Sequence, residues 1–199
     1  RQALKAIVVG LGVQGAKRRA AAGTDYVASV DPVKPEADFK SVRDVPVARY
    51  VAALVCTSDE PKGEVLEYLL SHGKHVLVEK PLWAAQDEDI VRLEKIARDA
   101  KAVCYTAYNH RFEPHYVRMR DAIRSGVLGE IYHCRMFYGN GTARLVRDSA
   151  WRDTGAGVLP DLGSHLLDTA LFWFGEVTED LGVVSARCFE NRAPDHVVI

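Results

Sequence analysis

A doubly wound α/β fold is predicted by three observations. Apolar strand-like runs alternate with helix-like stretches over the first half of the chain, with short connections between them. The first run ends in the glycine turn Gly10-Leu11-Gly12-Val13-Gln14-Gly15, and helix formers follow it. The rhythm breaks after Ala107, which predicts a doubly wound parallel sheet over 1–108 and a second α/β domain over 109–199.

The bulk numbers fit that class. The chain has 199 residues, 48% hydrophobic and 27% charged, the ordinary composition of a globular protein. A net charge of −1 argues against a nucleic-acid or membrane surface, and Lys17-Arg18-Arg19 is too short to reverse that. No apolar run approaches the ~20 residues of a membrane helix, and no signal peptide is visible. The four cysteines show no Cys-x-x-Cys pair. Three lie in apolar runs and read as reduced core residues of a cytoplasmic protein. The chain starts on Arg1 and stops at Ile199 in what reads as the start of a strand, so it is expected to be part of a longer polypeptide.

Lys5 to Val9 is the first expected strand. Gly10 allows the tight turn, Gly12 lets backbone approach a pyrophosphate, and Gly15 lets helix and strand pack closely. Val13 and Gln14 complete the turn, whose helix N-terminus offers free N–H groups to phosphate. The second strand, Tyr26 to Val30, ends in Asp31, sixteen residues past Gly15. An acid there meets the adenosine ribose hydroxyls and favours NAD over NADP. Lys34 and Arg18 argue the other way, so NADP stays open, and Asp31 also reads as a turn residue before Pro32. The second crossover helix reads as missing or shortened. Tyr50 to Cys56 is the third strand, and Thr57 after it either lines the cofactor cleft or caps the next helix. Capping is preferred for Ser58 and Asp59. A helix over 61–71 puts Val65, Leu66, Leu69 and Leu70 on one face, and Gly73 stops it.

Gly73-Lys74-His75-Val76-Leu77-Val78-Glu79-Lys80-Pro81 reads as a turn, a strand, two charges and a proline. The carboxyl end of a parallel strand is where an open α/β sheet binds ligands. Lys80 there stands between cofactor and substrate, able to move a proton. The plain alternative is a surface Glu-Lys pair. Ile90, Leu93, Ala97 and Ala100 mark another helix before the strand Ala102 to Ala107.

Asn109-His110-Arg111-Phe112 is either a second piece of the functional edge or a polar connection. A helix over 113–125, a turn between Gly126 and Gly129 and a long alternating strand, Glu130 to Tyr138, follow. The loop 139–153 carries Arg144, Arg147, Trp151 and Arg152, which clamp an anionic or polyhydroxyl ligand or are simply solvated. Pro160 suits a helix start, and Asp161, His165 and Asp168 then fall at i, i+4 and i+7 on one face. That stripe reads as a general acid/base with an orienting partner, as a solvated face, or as a metal site, the last lacking further ligand spacing. Leu181 to Phe189 is the last expected strand.

Together these segments resemble the Gfo/Idh/MocA oxidoreductases, named for glucose-fructose oxidoreductase and inositol dehydrogenase. The resemblance rests on the glycine turn, Gly73 to Pro81, Asn109 to Phe112, Gly126 to Ile131, Trp151-Arg152, and Gly155-Ala156-Gly157 leading to Asp161-Leu162-Gly163-Ser164-His165-Leu166-Leu167-Asp168. It implies an N-terminal Rossmann dinucleotide-binding domain and a second α/β domain built on a large, mostly antiparallel sheet, continuing for roughly another hundred residues, and homodimers or homotetramers made through that sheet. It implies that Lys80, Asp161 and His165 surround the reacting carbon and that the substrate is a sugar, nucleotide-sugar or polyol. The resemblance also puts Thr57 and Glu79 at the cofactor and Asn109, Arg111 and Arg152 at the substrate. Ser58 stands where the family often has proline, and Lys62 where it has histidine, so the contacts to the nicotinamide ribose differ.

The expected activity is NAD(P)-dependent hydride transfer to or from a secondary alcohol or ketone, with Lys80 and His165 relaying the proton. The alternative is a non-catalytic cofactor-binding sensor or regulatory protein on the same fold. No metal, nucleic-acid or membrane partner is expected.

Overall fold

The computed structural model describes residues 4–82, 87–139, 146–147, 153–178 and 181–199. The chain falls into two compact units, Arg1–Ala107 and Tyr108–Ile199.

In the first unit β1 (Ala6–Val9), β2 (Tyr26–Val30), β3 (Ala52–Val55), β4 (His75–Val78) and β5 (Cys104–Thr106) form one sheet of order β2-β1-β3-β4-β5. Every pairing is parallel. All four residues of β1 are buried, as expected for a central strand covered on both faces. Helices α1 (Val13–Ala22), α2 (Lys62–Ser71) and α3 (Asp87–Asp99) connect the strands. From α2, Leu66, Leu69 and Leu70 enter the core beside Ile7, Val55 and Val78, each such side chain stabilising the unit by about 1.5–3 kcal/mol. Between β2 and β3 no full crossover helix forms. Two 3-10 turns, Val42–Asp44 and Val47–Arg49, stand there, the first closed by a reciprocal Ser41/Asp44 capping box. The chain leaves β1 toward β2 on one side and reaches β3 on the other. That reversal opens a crevice at the carboxyl ends of β1 and β3.

The second unit starts with a 3-10 turn, Asn109–Phe112, and α4 (Pro114–Arg124), whose Pro114 sits in the first turn where no N–H is needed. A π-helical turn, Leu159–Gly163, runs into α5 (Ser164–Phe174). The Trp173 indole N–H donates to the Tyr116 carbonyl at 3.1 Å and ties α5 to α4. Strands β6 (Ser185–Arg187) and β7 (His196–Val198) pair antiparallel.

Several expectations for this unit are corrected. Among the described residues its sheet is antiparallel, as expected, and has two short strands. Glu130 to Tyr138 carries no strand, and Tyr132 and Phe137 stand exposed. Alternation permits a strand, but the backbone needs a neighbour to complete a ladder, and the described residues place none beside it. The strand expected over Leu181 to Phe189 shrinks to Ser185–Arg187 for the same reason. Cys134 and Cys188 are exposed rather than core residues, while Cys56 and Cys104 are half-buried; all four are free thiols.

Candidate active site

The glycine turn occupies the crevice between β1 and β3. The Gly10 N–H donates to the Val30 carbonyl at 2.8 Å. Gly10 has φ +89°, and a Cβ there would meet the Cys56 carbonyl oxygen at 2.8 Å. A Cβ on Gly15 would lie 1.8 Å from the Gly10 oxygen. Both positions are closed to side chains by backbone on the far side. Gly12 is different, because a Cβ there would meet nothing within 4 Å. Gly12, Val13 and Gln14 are exposed, and no side chain caps the first turn of α1. That leaves an open floor of N–H groups suited to a pyrophosphate.

Asp31 closes one side of this floor. Its Oδ2 accepts from Leu11 N–H at 2.7 Å, and its Oδ1 accepts from Val33 and Lys34 N–H at 2.9 and 3.0 Å. Partial burial pushes its carboxyl up, but the N–H groups of Leu11, Lys34 and Val33 and the Lys34 charge outweigh that and hold it below the ordinary range. A carboxylate offers about four lone-pair sites, so one on Oδ2 remains for a ribose hydroxyl, and its charge opposes a 2′-phosphate. Asp31 is therefore both a turn residue and the acid of the crevice. On the opposite wall the Thr57 hydroxyl oxygen is buried and makes no hydrogen bond. A buried hydroxyl without a partner costs about 1–3 kcal/mol unless a ligand supplies one. These residues fit a dinucleotide.

Glu79-Lys80-Pro81 leaves the same sheet edge, one strand further on, with Lys80 half-buried. The Glu79 N–H donates to the Val55 carbonyl at 2.9 Å. Its carboxylate is held by the Arg18 guanidinium at 2.6 Å, so Arg18 of α1 is committed to Glu79. Ser58 and Asp59 do not cap α2, whose N-cap is Pro61 without a side-chain bond. The proline displaces them from the cap position, and the Asp59 carboxylate instead takes the Lys62 ammonium at 2.7 Å. Between these groups the Cys56 thiol is pushed up to about 12, by burial first and then by the Glu79 charge, which makes it an inert neighbour.

In the second unit His165 is 6% exposed. Its ring sits 4.5 Å from His110, edge-on to Tyr108 at 5.8 Å, and 5.8 Å from Tyr138. Burial pushes the Tyr108 hydroxyl up, a hydrogen bond with Ser164 opposes that, and the charges of Asp168 and Arg111 act in opposite senses. Asp168 is 8% exposed and takes a forked pair from Arg111, with Nε 2.9 Å from both oxygens and a terminal nitrogen 2.7 Å from Oδ1. The guanidinium also lies over the Phe172 ring. The solvated-face reading fails for His165 and Asp168, and no group of three possible metal ligands occurs among the described residues.

Asp161 precedes α5 on the π-helical turn Leu159–Gly163. Asp161 lines a cavity of about 860 Å³ together with Leu166, Leu167 and Ala170, the apolar side of α5, and neither His165 nor Asp168 is among its walls. Asn109 is exposed, with its amide 3.5 Å from Glu113. Arg147 is paired with Glu190 at 3.4 Å. Arg144, Trp151 and Arg152 lie outside the described residues.

Sequence reasoning missed the rings around His165, the Arg111–Asp168 fork and the burial of Lys62. The last had a signal. A lysine in the first turn of a helix opposes the helix dipole and calls for another reason to be there.

Comparison with known proteins agrees with this geometry. The oxidoreductase-family NAD-binding Rossmann fold matches residues 5–108, and the GFO/IDH/MocA C-terminal domain matches residues 116–199. An inositol 2-dehydrogenase of Rhizobium meliloti is 27% identical over 172 residues, 85% of this chain and 47% of the relative. A scyllo-inositol 2-dehydrogenase (NADP(+)) of Bacillus subtilis is 31% identical over 150 residues, 67% of this chain and 41% of the relative. The crystal structure of an inositol dehydrogenase homolog from Azotobacter vinelandii, complexed with NADH and myo-inositol, superposes with a TM-score of 0.69 at 26% identity. It covers 86% of this chain and 52% of that one. The chain thus spans about half the length of the relatives it matches. With a match to the Rossmann half and a second to the C-terminal domain, the chain belongs to the GFO/IDH/MocA family of oxidoreductases, and its first unit is the family's NAD-binding fold.

Proposed function

We propose that the protein moves hydride between a nicotinamide cofactor, NAD in preference to NADP, and a secondary alcohol or ketone of a sugar, nucleotide-sugar or polyol, with inositol-like polyols the first class to test. The observation that carries this reading is the sharing of one sheet edge by the glycine turn with its Asp31 partner and by Lys80. Relatives named for inositol oxidation support the substrate class.

Oxidising an alcohol removes a hydride from carbon and a proton from oxygen. Bound NAD supplies the hydride acceptor. The chain's own residues manage the proton and hold the substrate. His165 takes the hydroxyl proton through a ring nitrogen, as an imidazole can near neutral pH. Lys80 donates a hydrogen bond to the substrate oxygen and polarises it or relays the proton. Asp161, Asn109 and Arg111 hydrogen-bond further hydroxyls. On this reading 1–108 is the cofactor domain, and 109–199 belongs to a domain for substrate and self-association.

The test is a fluorescence titration of the purified protein with NADH and NADPH, then NAD reduction followed with myo-inositol, scyllo-inositol, glucose and UDP-glucose. Tighter binding of NADH and turnover of a polyol or sugar are expected. Lys80→Ala should lower turnover by about 10²–10⁴-fold and leave NADH affinity within a few-fold; unchanged turnover removes Lys80 from the chemistry. Tight NADH binding with no turnover of any of the four leaves the sensor reading.

A further inference from the structure

Lys62 is 1% exposed, although lysine is among the side chains least often buried. Its ammonium has three N–H donors, and the structure gives it three acceptors. They are the Asp59 carboxylate at 2.7 Å, the Pro81 carbonyl at 2.8 Å and the Glu79 carbonyl at 3.3 Å. The two carbonyls flank Lys80 in the chain. Burying an ammonium is costly unless it is paired and hydrogen-bonded. Lys62 is also the first residue of α2, where a cation opposes the helix dipole. Support of α2 is therefore not what this charge provides. Its acceptors belong to Asp59 and to the turn carrying Lys80. The same turn is held from the other side by Arg18 on the Glu79 carboxylate and by Val55 on the Glu79 N–H.

We propose that Lys62 is a positioning residue for Lys80. Its ammonium clamps the carbonyl on each side of Lys80 and so fixes where the Lys80 side chain leaves the sheet edge. Lys62 touches neither substrate nor cofactor in this role. The consequence for turnover rests on Lys80 handling the proton, but the clamp itself does not.

The test reads Lys80 directly, without a substrate. Reductive methylation by formaldehyde and a borane, mapped by peptide mass spectrometry on the cofactor-free protein, reports how accessible each lysine amine is. Lys62→Met keeps the stem and removes the ammonium. Labelling of Lys80 is expected to rise several-fold, with the exposed Lys17 and Lys95 unchanged and NADH affinity held within a few-fold. Lys62→Arg should bring Lys80 back toward the parent rate. Unchanged labelling of Lys80, or an equal rise at Lys17 and Lys95, overturns the proposal. If Lys62→Met does not fold, Asp59→Asn takes its place. It removes the counter-charge from a half-open position, and it should raise Lys80 labelling to a smaller extent; no rise overturns the clamp. In turnover assays Lys62→Met should lower kcat up to about a hundredfold with KM little changed. An active Lys80→Ala enzyme would sink the proton role of Lys80 and leave the labelling result standing, so the two ideas fail separately.

Discussion

The two units build their functional groups by different means. In the first, the candidate residues are held largely through backbone groups. The glycine turn is closed by carbonyls, Asp31 is held by three N–H groups, and the Lys80 turn is bracketed by Val55, Arg18 and Lys62. In the second, His165 is seated by rings, and its helix is tied to its neighbours by side chains, the Arg111–Asp168 ion pair and the Trp173 indole among them. A site hung from a parallel ladder inherits the rigidity of the sheet. A site made from side-chain packing is only as firm as a few contacts, and each can be removed singly.

The largest effect expected from breaking this contrast is at Gly15. Gly15→Ala drives a methyl into the Gly10 carbonyl, which is backbone and cannot rotate away. Overpacking of this kind costs about 3 kcal/mol, or about 10 °C in melting temperature for a chain of this size. NADH binding should be lost with it. A variant that melts like the parent and binds NADH would show that the turn is softer than its geometry implies.

This difference also explains what the sequence disclosed. Glycine spacing, Asp31 after the second strand, and Lys80 at a strand end are local patterns, each dictated by backbone within a few residues. They could be read one after another. Arg111 and Asp168 are 57 residues apart, and no periodicity links them. The chain offers other arginines and acids, and only the fold selects this pair. The same holds for His110 and Tyr138 beside His165. The π-helical turn that carries Asp161 leaves no mark in the hydrophobic pattern, and the i, i+4, i+7 rule assumes an α-helix throughout. Glu130 to Tyr138 was misread because alternation records only the capacity to form a strand.

The second effect is smaller and confined to the second unit. Asp168→Asn keeps the shape of the carboxylate but leaves the Arg111 guanidinium facing an amide. Hydrogen bonds to charged groups contribute about 1.5–3 kcal/mol, and with Arg111 one-third exposed a loss of about 1–2 kcal/mol is expected. A melt should shift by a few degrees. NADH affinity, which depends on the first unit, should stay at the parent value. A fall in NADH affinity as large as that of an Asp31 variant would show that the units do not keep their tasks apart.

The smallest effect concerns acid. The Asp31 carboxyl is held below its ordinary value near 3.8 in the folded chain. A group with a depressed folded value stabilises the native state fully above its unfolded value and loses that contribution as pH falls through the folded one. The wild type should therefore exceed Asp31→Asn in stability by a constant amount from neutral pH down to about pH 5. Below that the gap should narrow, because protonating Asp31 removes the charge that Leu11, Val33 and Lys34 N–H groups were meeting. Subtracting the two unfolding curves cancels the other carboxylates, among them Asp38, which is also held low by Ser29 and Tyr26. A gap that stays the same into strong acid would mean that hydrogen bonding at Asp31, not its charge, holds the glycine turn. An asparagine, with one acceptor oxygen where the carboxylate has two, would then be worse by the same margin at every pH, and the charge itself would be left with the cofactor as its reason to be there.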